Sequence, residues 1–145
     1  MNLLESLAGI TPSREPIRVE VVKGQFLEFR APTEGEIDAL KVDCEREADV
    51  YFKDKYEPTA KQREWLPAKR ETFVRATLLS HFIEAEDRSE ARRQLCMIGK
   101  RLPITFTSVF NSWQSEAVNA ELKAFAEEVE SRKNSSEGTK SDTSD

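Results

Sequence analysis

The stretch Thr72-Phe73-Val74-Arg75-Ala76-Thr77-Leu78-Leu79-Ser80-His81-Phe82-Ile83 constrains this chain more than any other. Read as a helix, it has apolar side chains at 73, 74, 76, 78, 79, 82 and 83. These cover well over half of the circumference, where a surface helix needs a single stripe. Such a helix has to be wrapped. Full burial of Phe73, Val74, Leu78, Leu79, Phe82 and Ile83 at about 1.5–3 kcal/mol each supplies roughly 9–18 kcal/mol of gross burial. The remaining amphipathic segments are therefore read as its cover. The stretch carries no nucleophile beside a base and no metal-ligand spacing, so it speaks to folding and not to chemistry.

The covering segments are legible from their periods and caps. Leu3 to Ala8 forms a turn or two of helix, with Gly9 as its stop, and Pro12 and Pro16 then hold the chain extended as an arm. Thr33 with Glu36 makes a capping box for a helix carrying Ile37, Leu40, Cys44, Ala48, Tyr51 and Phe52 at steps of three and four. That helix ends before Pro58. Thr59 with Gln62 caps a second, and the Leu66-Pro67 junction leaves two arrangements open: a short helix followed by the central one, or one kinked helix. Asp87 with Glu90 caps a helix placing Ala91, Leu95, Ile98 and Leu102 on one face, with Gly99 weakening its end. Pro103 opens a last helix. Its first stripe is Phe106, Val109, Phe110, Trp113 and Ala117; a second, Val118, Leu122, Phe125 and Val129, follows on a shifted face.

From Ile17 to Arg30 the period becomes two, which predicts a β-hairpin. An odd-length turn through Lys23-Gly24-Gln25 would pair Val22 with Phe26, Val21 with Leu27, Val19 with Phe29 and Ile17 with Ala31. A two-residue Lys-Gly turn sets Val19 against Glu28, so the longer loop is preferred. The outer face then opposes Glu20 to Glu28 and Arg18 to Arg30, an unfavourable arrangement that a diagonal Arg18–Glu28 contact offsets in part. A lone hairpin is marginal in water and must lie on helices or pair its edge.

The expected fold is mainly α with a small N-terminal β-hairpin (α+β): a bundle of four to five helices followed by a disordered tail. The organisation expected is an arm over 1–16, a single domain over 17–130 with its hairpin at 17–31, and a disordered segment over 131–145, which has no apolar residue but Gly138. At 145 residues one core is the default. A net charge of −5 argues against general affinity for nucleic acid or anionic membrane. No signal peptide is evident and no apolar run reaches the ~20 residues of a membrane helix, so a soluble, cytosolic protein is expected.

Candidate chemistry is sparse. His81 is the only histidine and lacks the partners of a metal site. Cys44 and Cys96 read as buried reduced thiols. Glu84, Glu86, Asp87 and Glu90 read as a capping turn, without the alternating ligands of a calcium loop. There is no phosphate-binding glycine loop, no Cys-x-x-Cys and no nucleophile elbow, so no catalytic, cofactor-binding or metal residues are assigned and an enzyme is not expected. A helix-turn-helix is the competing motif: the central helix, the turn at 84–89 and a helix bearing Arg92, Arg93, Lys100 and Arg101 would suit a small DNA-binding regulator. As interaction anchors Trp65, Phe110 and Trp113 stand out, with core packing the better role for the last two. The partner-binding candidates are Val118, Leu122, Phe125, Val129 and Trp65.

A short acidic chain with a hairpin ending in Phe29-Arg30-Ala31-Pro32-Thr33, a Thr-capped helix, a Leu102-Pro103 junction before the last helix and a polar tail resembles the tail assembly chaperones of long-tailed bacteriophages, over roughly residues 17–130. The resemblance implies a non-enzymatic protein of the host cytoplasm, absent from the mature virion. Such a protein binds the tape measure protein, keeps its apolar helices soluble and helps the tail tube protein assemble around it. It also implies, as in many members, a frameshifted longer form of the chain as a partner; codons for Arg132-Lys133-Asn134 could hold the slippery run. Self-association into a homo-oligomer is compatible with these readings. A structural adaptor that stays in the virion is a third alternative.

Overall fold

A computed structural model describes residues 2–11, 14–33, 35–55 and 60–143, and their side chains except at 54, 55, 60–65 and 133–143. The chain runs as α1 (Leu3–Ala8), β1 (Ile17–Val22), β2 (Gln25–Phe29), α2 (Glu36–Lys55), α3 (Ala60–Ser80), α4 (Arg88–Arg101) and α5 (Pro103–Thr143). It is mainly helical with an N-terminal two-stranded antiparallel hairpin, the class its periodicities require.

The central stretch is buried as its composition demands. Phe73, Ala76, Leu78, Leu79 and Phe82 lie in the core with Thr77 and Ser80. They are covered by Ile17, Val19 and Phe29 from the hairpin, Cys44 from α2, Leu95 from α4, and Phe106, Val109, Phe110, Trp113 and Ala117 from α5. Trp113 is the hub, its ring 6.3 Å from Phe29, 5.4 Å from Phe82 and 5.8 Å from Phe110. Aromatic pairs at such separations add directional attraction to burial. Pro67 is accommodated inside a single α3, which resolves the two arrangements the Leu-Pro junction left open.

Three local expectations are corrected. The helix of the central stretch stops at Ser80 and not at Ile83. Phe82 and Ile83 turn out to meet β2, with Arg30 N–H donating to Phe82 O at 2.7 Å, Glu84 N–H to Glu28 O at 3.0 Å, and a bridge between Phe29 and Ile83. These bonds supply the third-strand support that a lone hairpin lacks.

The hairpin register also differs. Val22 pairs with Gln25 across Lys23-Gly24, with Gly24 at φ +82° where only glycine sits without strain. A bulge between Glu20 and Val22 then restores Val19 to Leu27 and Ile17 to Phe29. One extra residue on β1 thus permits the tight turn and still keeps the apolar faces together. Arg18 sits directly opposite Glu28, 3.3 Å away as an ion pair, so the feared like-charge pairs do not form. The strands end at Phe29, short of the 17–31 span expected.

The third correction concerns the end of α4. Leu102 is exposed, not part of the buried face, because it caps α4 between two helices. The backbone of α5 is helical through Thr143. Local pairs such as Arg132–Glu128, at 2.6 Å, support a helix past its last apolar residue. The disordered segment expected over 131–145 falls, from 133 on, on side chains outside the described residues.

Two of the three capping expectations can be placed, the Thr59–Gln62 cap and Pro58 lying outside the described residues. Asp87 accepts from Ser89 N–H and Glu90 N–H. At α2, Glu36 accepts from Thr33 N–H at 3.0 Å and also clamps Arg30 through two contacts of 2.8 and 2.6 Å. The Arg30 guanidinium holds the Glu36 carboxyl down at about 2.

Candidate partner-binding surface

On an α-helix at 100° per residue, Val118, Leu122, Phe125 and Val129 fall within a narrow stripe turned by roughly a third of a circle from the Phe106–Ala117 face. The first half of α5 is tied to the body by that buried face. The second half therefore presents its stripe outward. Val118 is 53% exposed, Leu122 45% and Val129 46%, and Phe125 is half-buried. Steps of four, three and four are those of a coiled-coil seam, the pattern that meets another helix by knobs into holes. Trp65 lies on α3, but its side chain is outside the described residues.

The stripe runs into a cleft that sequence periodicity did not reveal. Of about 660 Å³, it opens between α2, α3 and α5, with Ile37, Val74, Leu78, Phe110, Ala117 and Val118 among its walls. Charged side chains from all three helices share those walls. Arg75 lies with its guanidinium 4.8 Å over the Phe110 ring and is held there by Glu71 at 2.6 Å. Glu121 stands where cleft and stripe meet. By helical position Glu121 and Glu128 line one flank of the stripe, while Asn119 and Ala126 line the other.

The other candidates are placed in supporting roles. Cys44 and Cys96 are free thiols, and burial pushes Cys44 up to about 11 and raises Cys96. His81 receives a contact of 3.0 Å from Arg88, and burial, followed by that cation, lowers its pKa. On α4, Arg92 pairs with Glu47 at 3.2 Å and Arg93 with Glu90 at 2.6 Å, so two of its five cations face protein carboxylates. Among the described residues no cluster of ligating side chains could hold a metal ion, and no helix is long and apolar enough to cross a membrane.

The fold and this surface define a class: a small, mainly helical protein that leaves an apolar helix seam uncovered beside a cleft. Neither the protein-family models, nor the curated proteins, nor the solved structures contain a match to this chain.

Proposed function

We propose that this chain is a tail assembly chaperone of a long-tailed bacteriophage. It binds the tape measure protein through the α5 seam, shields that client's apolar helices in the host cytoplasm, and leaves once tail tube protein has assembled around it. The carrying observation is the exposure of Val118, Leu122 and Val129 at coiled-coil spacing on a helix anchored by its other half. An exposed seam of this kind has its most favourable use against another amphipathic helix. The acidic balance keeps the complex soluble. No step of the role transforms a substrate.

Co-expression with a tape measure protein, if one is encoded beside this chain, tests the reading. A soluble complex that Leu122→Glu dissolves is the expected result; a client equally soluble without this chain overturns it. The nucleotide sequence across Arg132-Lys133-Asn134 is a further check on the longer form, which requires a slippery heptamer and an overlapping downstream frame.

A further inference from the structure

We infer that two copies of this chain pair by exchanging their N-terminal arms, each α1 laying its leucines on the Val118–Leu122–Val129 seam of the other copy. The argument begins with α1 itself. It is a helix of six residues, closed by Asn2, whose side chain accepts from Glu5 N–H at 2.8 Å, and by Gly9, whose N–H reaches Glu5 O. Helices this short do not persist alone in water, because nucleation outweighs the few bonds they close. Yet none of its residues is buried, and Leu3 and Leu4 are 63% and 78% exposed. An apolar surface that holds α1 has to come from elsewhere.

The arm's attachment places that surface. Glu15 is ion-paired with Lys123 on α5, and a shallow groove there is shared by Glu15, Pro16, Leu122 and Ala126. The root of the arm therefore sits against the seam. The seam extends about 16 Å from Val118 to Val129, and the six Cα–Cα steps from Gly9 to Glu15 span at most about 20 Å. The chain's own seam is within that tether's length, but the leucines of α1 stay exposed. A short, proline-bearing connection that leaves its terminal element undocked is the arrangement that favours exchange with a second copy. Covering Leu3, Leu4 and Leu7 against the seam twice in a two-fold pair removes on the order of 1,000 Å² from water, the size at which specific interfaces begin.

The pairing uses the surface assigned to the client and rests on that reading only in making arm and client competitors; the exchange itself is tested without any client. Sedimentation of the full chain across the micromolar range should show a dimer. Leu4→Glu and Leu122→Glu, both at exposed positions, should each weaken it at least tenfold. Mixing isotopically labelled Leu4→Cys with unlabelled Leu122→Cys under mild oxidation should join a heavy to a light chain through residues 4 and 122, the native thiols being slow for the reason given above. A monomeric wild type overturns the inference. So does a dimer that Leu4→Glu leaves intact, or a disulfide that joins only like variants. Leu4→Glu should still bind client, so loss of the dimer and loss of the function are read separately.

Discussion

Gly99 of α4 faces Thr72 of α3 so closely that a Cβ in its place would stand 2.4 Å from the Thr72 Cγ2 methyl. The Thr72 hydroxyl donates to Ala68 O at 3.1 Å, which fixes the rotamer that points the methyl at α4. By sequence alone Gly99 is a weak point near the end of its helix. In the fold it is where α3 and α4 cross. Gly99→Ala gains about 1 kcal/mol of helix propensity but overpacks at a cost of about 1–3 kcal/mol. The expected outcome is a net loss of about 1 kcal/mol in urea unfolding. Thr72→Ser removes the methyl and should restore that loss in the double variant; additive effects would show that the two residues do not meet.

Thr77 Oγ1 is buried without a hydrogen-bond partner among the described residues. An unpaired buried hydroxyl costs about 1–3 kcal/mol. Thr77→Val keeps the shape and removes the polar atom, so it should raise the melting temperature. A drop would mean that the hydroxyl is bonded in solution.

Glu36 titrates at about 2 in the folded protein, held down first by its hydrogen bonds to Arg30, against an ordinary value of 4.5. A depressed folded pKa stabilises fully above the unfolded value and is lost as pH falls from about 4.5 towards 2. Glu36→Gln should lower stability at neutral pH by about 1–2 kcal/mol, reduced from the ideal by the partial exposure of Arg30. It should also flatten the acid limb of stability against pH in that window. An unchanged acid limb would place the clamp outside the folding energetics.

Position on α5 should separate folding from binding. Phe110→Ala removes a ring from the Trp113 cluster and should cost about 3–5 kcal/mol. Val118→Glu, the next residue after Ala117 and exposed, should change stability by no more than about 0.5 kcal/mol. It should nevertheless abolish capture of the client in the co-expression assay. Equal losses of stability would mean that the seam belongs to the core.

Arg75 covers the Phe110 ring at the wall of the cleft, so Arg75→Ala should open that wall while leaving Glu71 without its partner. Stability should fall by about 1 kcal/mol, the combined scale of a cation–π contact and a surface pair. Client affinity should change by more than that fall if the cleft is part of the binding surface, which a titration by calorimetry would measure.

Local rules carried the sequence a long way. The all-round apolarity of 72–83 dictated a wrapped centre. Side-chain caps at Thr33 and Asp87 marked helix starts, because a cap is made by residues three apart and needs no distant partner. The shift of stripe after Ala117 marked the seam, since helical period alone sets which residues share a face. What needed tertiary structure was whatever depends on elements far apart in the chain. The bulge that retunes the hairpin is not written in the period-two pattern, which sets register only for an unbroken ladder. The departure of Phe82 and Ile83 from α3 is decided by the backbone groups of β2. The contact of Gly99 with Thr72, and the cleft between α2, α3 and α5, exist only where separate helices meet. Period and capping act within a few residues and are written in the chain; crossings, bridges and clefts are set by packing, which no single segment contains.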